Sequence, residues 1–136
     1  LVTLDYDCDY GSLTIDKVGN ISGNSDYMHT KIENLHGSGS FDADYGSIKI
    51  GNLTNFFKKL TIESTYANVK IGIANVDGFD IIADLKYANL RGAENFNFSK
   101  EISKNNSKYY EGYFKASNTN KNITINSNYG NISFTN

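Results

Sequence analysis

Apolar and polar residues alternate along this chain in short runs, and the runs recur. Leu13 and Ile15 fall on one side of an extended segment, with Ser12 and Thr14 on the other. Ile48 and Ile50 stand against Ser47 and Lys49 in the same way, and Val69 and Ile71 against Asn68 and Lys70. A period of two with one apolar side predicts half-buried β-strands. Each run opens on a tyrosine: Tyr10-Gly-Ser-Leu-Thr-Ile15, Tyr27-Met-His-Thr-Lys-Ile32, Tyr45-Gly-Ser-Ile-Lys-Ile50, Tyr66-Ala-Asn-Val-Lys-Ile71, Tyr87-Ala-Asn-Leu-Arg-Gly92 and Tyr129-Gly-Asn-Ile-Ser-Phe134. Successive tyrosines are 17, 18, 21, 21 and 42 residues apart, the last being two periods of 21.

A second run leads back to the next tyrosine: Phe41-Asp-Ala43, Leu60-Thr-Ile62, Phe79-Asp-Ile81 and Ile123-Thr-Ile125, with Asp26, Asp44, Thr65 or Asn128 just before the ring. Between the runs an apolar residue recurs three positions on (Ile15 to Val18, Ile32 to Leu35, Ile50 to Leu53), preceded in several copies by Asn34, Asn52 or Asn75. Asparagine tolerates the left-handed conformation, so these asparagines are predicted to form the corners and to hydrogen-bond along a stack. A strand-only repeat of about 20 residues predicts an all-β fold, a single-stranded parallel β-helix (β-solenoid) of about six coils of 17–21 residues in one domain spanning 1–136. The crossover rule predicts a right-handed coil.

Residues 97–121 break the rhythm. Asn105-Asn106-Ser107 is a turn signal between two alternating runs, which predicts a hairpin or a distorted coil projecting from the stack. Such an excursion serves either a specific function or as a cap on an exposed edge.

Composition agrees with a β-fold rich in corners: 12 Gly, 19 Asn, 10 Tyr, 8 Phe and no Pro. The net charge is −2, with the two signs interleaved along the chain and Arg91 the single arginine. Without a basic run, nucleic acid is not an expected partner. No stretch is apolar enough to span a bilayer. Leu1 begins in mid-pattern, with Val2, Leu4 and Tyr6 already alternating, so the chain reads as the core of a longer precursor. The lone Cys8 lies between Asp7 and Asp9, whose charges disfavour a thiolate, and reads as a passive thiol.

Three groups are candidates for a site. The tyrosines of the phrase (Tyr10, Tyr27, Tyr45, Tyr66, Tyr87, Tyr129) would form a column that either seals the corners or stacks on sugars, and Tyr109, Tyr110 and Tyr113 of the excursion could join such a ligand surface. Asp5, Asp7 and Asp9 share one strand face, which reads as a solvated acidic face or as a cluster of calcium-type oxygens. His29 and His36 are the two histidines, and no nucleophile–base arrangement or zinc spacing goes with them. No catalytic residue and no cofactor are expected, although carboxylate pairs of the glycosidase kind abound.

The phrase Asp9-Tyr10-Gly-Ser, the following Lys17-Val-Gly-Asn-Ile-Ser-Gly-Asn-Ser-Asp-Tyr27 and the later Ser107-Lys-Tyr-Tyr-Glu-Gly-Tyr113 resemble the β-helical adhesin family of Bacteroidetes, which is related to the head domain of auto-transporter adhesins. The resemblance implies an exported module at the cell surface or in the periplasm that binds a glycan or a surface protein through an extended face. It brings no binding residues with it. The alternatives are a small β-helical glycan lyase or hydrolase using surface carboxylates, and a structural spacer that self-associates end to end.

Overall fold

A computed structural model describes residues 3–116 and 120–135; Leu1 and Val2 of the opening alternation, and residues 117–119 near the end of the irregular stretch, lie outside the described residues. Among the described residues the chain forms strands and no helix. The strands are β1 (Thr3–Cys8), β2 (Gly11–Val18), β3 (Asn20–Leu35), β4 (Gly39–Leu53), β5 (Lys59–Gly72), β6 (Phe79–Lys86), β7 (Leu90–Arg91), β8 (Phe96–Ser103), β9 (Ser107–Phe114), β10 (Asn122–Asn128) and β11 (Ile132–Thr135). They build one sheet in the order β1-β3-β4-β5-β10-β6-β9-β8, with β2 also on β3 and β11 between β5 and β7. Its path is open, not closed into a barrel. The sheet is mixed: β9 runs antiparallel to both β6 and β8, and every other pairing is parallel.

The two runs on either side of a tyrosine are the arms of one bent strand. In β3, β4 and β5 the bend falls on Tyr27, Tyr45 and Tyr66, at φ 50°, 56° and 54°. Tyr87 and Tyr129 occupy the same place between β6 and β7 and between β10 and β11, at φ 53° and 57°. Among the described residues Asn34, Asn52 and Asn75 carry no positive φ. The corner at these asparagines is therefore turned without left-handed backbone, and the left-handed residue of the repeat is the tyrosine at the other bend. The asparagines contribute the other part of the expectation: Asn75 Nδ2 donates to Asn52 Oδ1 at 3.4 Å and Asn34 Nδ2 to the Asp16 carbonyl at 3.3 Å.

Parallel register places like positions on like. One inward row runs Leu13, Thr30, Ile48, Val69, Ile132, Leu90; another runs Leu4, Ile21, Gly39, Leu60, Ile123, Ile81. Both arms feed one apolar core. Where the rows change size the neighbours compensate. Tyr6 pairs with Gly23, and its ring fills the space a Cβ at Gly23 would occupy. Its hydroxyl reaches Thr30 Oγ1 at 3.3 Å. Gly46, which follows a bend at φ 156°, lies so close to the Met28 carbonyl that a Cβ would overlap it.

Spatial order departs from chain order at one point. The interval of 42 residues suggests that the last phrase lies beyond the fifth. Instead β10 lies between β5 and β6, and β11 between β5 and β7. The strands β10 and β11 are thus interior: Ile123, Ile125, Ser127, Ile132 and Phe134 are buried. The irregular stretch is a hairpin, β8–β9, as its turn signal suggests. It lies along β6 and covers that edge of the sheet; it does not project from the stack.

Two outcomes test this arrangement. Left-handed φ costs a bulky residue about 1–2 kcal/mol, which glycine avoids. Tyr66→Gly should therefore be about 1 kcal/mol more stable than Tyr66→Ala in urea unfolding, although both lose the ring. The opposite ranking would remove strain from the account of the corner. Ile125→Ala should cost about 2–5 kcal/mol, as expected for an interior strand and as much as Ile62→Ala; a loss below about 1 kcal/mol would place β10 at a frayed margin.

Candidate functional site

Six of the nine candidate tyrosines come together. Tyr10, Tyr27, Tyr45, Tyr66, Tyr129 and Tyr87 form a single stack in that order, with centroids 4.6–5.2 Å apart and planes within 2–10° of parallel. The spacing matches the distance between paired strands, so the backbone sets the ring-to-ring contact. Each interior ring spends both faces on its neighbours and shows solvent its edge and hydroxyl. A sugar packs on an aromatic face, and the most exposed ring is Tyr10 at one end of the stack, at 75 %. At the other end the backbone N–H of Tyr87 donates to the Asn106 carbonyl at 2.8 Å, bringing the β8–β9 turn beside the last ring.

The three remaining tyrosines stand apart on β9. The Tyr109 hydroxyl donates to Glu111 Oε2 at 3.1 Å; this bond, burial and the Glu111 and Asp84 charges raise its pKa. Tyr110 packs against the core with its ring 5.0 Å from Phe98, and burial followed by the Glu101 charge raises its pKa. Tyr113 lies opposite Asp80 and Asn97 in the ladder. His29 and His36 bond separately, to Ser47 Oγ at 2.7 Å and to Thr54 Oγ1 at 3.1 Å. Cys8 is half-buried, its thiol donating to the Tyr10 carbonyl at 3.3 Å. Among the described residues no group of three or more His, Cys, Asp or Glu is placed to hold a metal ion.

The outward rows carry a pattern that reading along the chain missed. On the arm before each tyrosine, register aligns Asp7, Asn24, Asp42, Glu63, Asn126 and Asp84. Asp5 stands in the row to one side, Asp26 and Asp44 in the row to the other, with Asp9 close to Asp26. The cations in register with this face, Lys59 and Lys86, lie at its margins. On the arm after each tyrosine the row runs Thr14, Lys31, Lys49, Lys70, Ser133, Arg91. Beside it run Ser12, His29, Ser47 and Asn68, continued by Asn131 and Asn89. The sequence signal was present: Lys31, Lys49, Lys70 and Arg91 each stand four residues after a phrase tyrosine.

Like charges in register repel. Two cations one strand apart interact unfavourably by about 1 kcal/mol in water. Among the described residues Lys31 is relieved by Glu33 at 3.1 Å, whereas Lys49, Lys70 and Arg91 have no carboxylate partner. The asparagines beside them are structural on one side only: Asn68 Oδ1 accepts from the Asn131 backbone N–H at 3.0 Å, and Asn131 Oδ1 from that of Asn89 at 3.1 Å. Their amide nitrogens remain as donors. A shallow depression over this face is lined by Ser47, Lys49, Asn68, Lys70, Arg91 and Ser133.

The acidic face shows its crowding in Asp26. Desolvation, then the charges of Asp44 and Asp9, a hydrogen bond with Asp44 and the charge of Asp7 raise its pKa above the usual carboxylate range. A carboxyl with a raised folded pKa binds its proton more tightly in the fold than in the open chain. Its contribution is complete below the ordinary carboxylate pKa and is lost as pH rises through the raised value. Asp26→Asn should therefore raise Tm at pH 7 and change it little at pH 3. Thermal unfolding by circular dichroism decides, and an equal shift at both pH values would separate the effect from charge.

Comparison with protein-family models, curated proteins and solved structures finds no match to this chain. No helix among the described residues is long and apolar enough to cross a membrane.

Proposed function

We propose that the chain is a right-handed β-solenoid module, exported to the cell surface or periplasm, that binds as an adhesin does through an extended sheet face. The observation carrying this reading is that chemistry on the molecule is laid out in rows, not gathered in a cleft. Strands in register offer like residues along a line, as in the run of Lys31, Lys49 and Lys70, and the depressions above the sheet are open. Rows of this kind suit a polymer or a broad surface better than a small substrate, because they spread like groups along a line instead of gathering them around one point. The resemblance of the repeated phrase to the adhesin family of Bacteroidetes points the same way.

The second reading, a spacer assembling end to end, draws on the open edge of the sheet, where β1 and β2 each pair with β3 alone. Unpaired N–H and C=O groups on an edge invite another chain. Light scattering after size exclusion separates the two: a monomer at all concentrations rejects the spacer.

For the binding reading, folded protein on an array of neutral and charged glycans should give reproducible hits. Tyr66→Phe, which keeps the stack and removes one hydroxyl, should preserve them. A folded sample that captures no glycan and no surface protein would end the proposal.

A further inference from the structure

We propose that the outward row Lys31, Lys49, Lys70 and Arg91 is a binding site for a linear acidic polysaccharide, a glycan carrying a carboxylate or sulfate at regular intervals along its chain. This rests on the binding-module reading above and names its ligand class. Three observations converge. The cations are held by register on strands β3, β4, β5 and β7, with the uncharged Ser133 of β11 between the last two, so the backbone sets the spacing of the positions from which their side chains reach out. Adjacent strands repeat at about 4.8 Å, so Lys31, Lys49 and Lys70 offer charges at a step close to the rise of one sugar residue. Among the described residues one of the four, Lys31, has a carboxylate partner, Glu33, while the carboxylates in register on the other arm lie across the tyrosine bends.

The neighbouring row favours a sugar polymer over other polyanions. His29, Ser47, Asn68, Asn131 and Asn89 run alongside the cations and offer imidazole, hydroxyl and amide groups suited to sugar hydroxyls. Single-stranded nucleic acid is held instead by aromatic faces beside a positive groove. The interior rings of the aromatic stack have both faces closed on one another, so they offer no row of open faces for successive bases. A second copy of this chain is the other polyanion available, because its acidic row repeats at the same strand spacing.

Isothermal titration with three probes separates these outcomes: an oligogalacturonate, a heparin-type sulfated oligosaccharide, and a neutral cello-oligosaccharide of equal length. The acidic probes should bind with affinity that falls as salt rises, and the neutral one should not bind. Lys49→Gln/Lys70→Gln should weaken binding roughly tenfold and flatten the salt dependence, whereas Lys58→Gln/Lys59→Gln, with the same change in net charge, should leave it unaltered. Circular dichroism of both pairs confirms the fold, and the lysine row should if anything gain stability when neutralised. Binding of the neutral probe, or equal loss in both pairs, would overturn the acidic-glycan site and leave the binding module standing. Tighter binding to a single-stranded oligonucleotide than to either acidic sugar would overturn it in favour of nucleic acid. Salt-sensitive dimers abolished by Lys49→Gln/Lys70→Gln would overturn it in favour of self-association. Folded protein that takes up none of the probes and gives no array hit would remove both proposals together.

Discussion

The structure depends on tyrosine held in a left-handed bend at a fixed place on successive strands. The bend is costly for a residue with a Cβ, roughly 1–2 kcal/mol in each copy. Face-to-face aromatic contact contributes a comparable amount, about 0.5–1.5 kcal/mol per pair beyond burial. Glycine would bend without strain but could not define which bend stacks on which. Tyrosine ties the turn to the register: a strand displaced by one residue would lose both ring contacts and turn its apolar face to solvent. Local strain and long-range alignment are thus coupled in one side chain.

That coupling explains why charge sorts as it does. Once each bend lies on the next, every outward position becomes a row running the length of the sheet. Positions four after the ring collect Lys31, Lys49, Lys70 and Arg91, and positions before it collect Asp7, Asp26, Asp42 and Asp44. A net charge of −2 conceals two faces of opposite sign. The molecule's field is set by register, and register is set by the stack. The basic face therefore follows from the same geometry that builds the core.

The phrase and its alternation made the strands, the inward rows and the tyrosine stack legible before any coordinates. Leu13, Ile48, Val69 and Ile132 occupy one row because periodicity two and a constant offset from the ring leave no other place for them. The order of the coils was not legible. Tyr66, Tyr87 and Tyr129 open nearly identical phrases, so local pattern gives no reason for the last to lie between the other two; that choice is made by the hairpin β8–β9, which takes the far side of β6. The left-handed position was expected at the wrong bend for a different reason. Propensity points to asparagine, whereas the left-handed residues are the tyrosines of the other bend, where ring stacking offsets the strain. The charge row was overlooked because signs were read along the chain instead of across it.

The two margins of the described sheet differ in kind. At one end β9 lies antiparallel on β6, so the edge no longer presents the parallel pattern that a further coil would need. At the other margin β1 and β2 pair, among the described residues, with β3 alone, and the row residues there are less covered: Leu4, Tyr6, Leu13 and Ile15 are half-buried, where Ile21, Ile32 and Ile48 are buried. Asp5, Asp7 and Asp9 stand on or beside this edge strand. A second copy approaching β1 edge to edge would bring its own three carboxylates against them, and charges on an edge strand are a known means of discouraging such pairing. The sheet faces are left as the surface on which a long partner could lie.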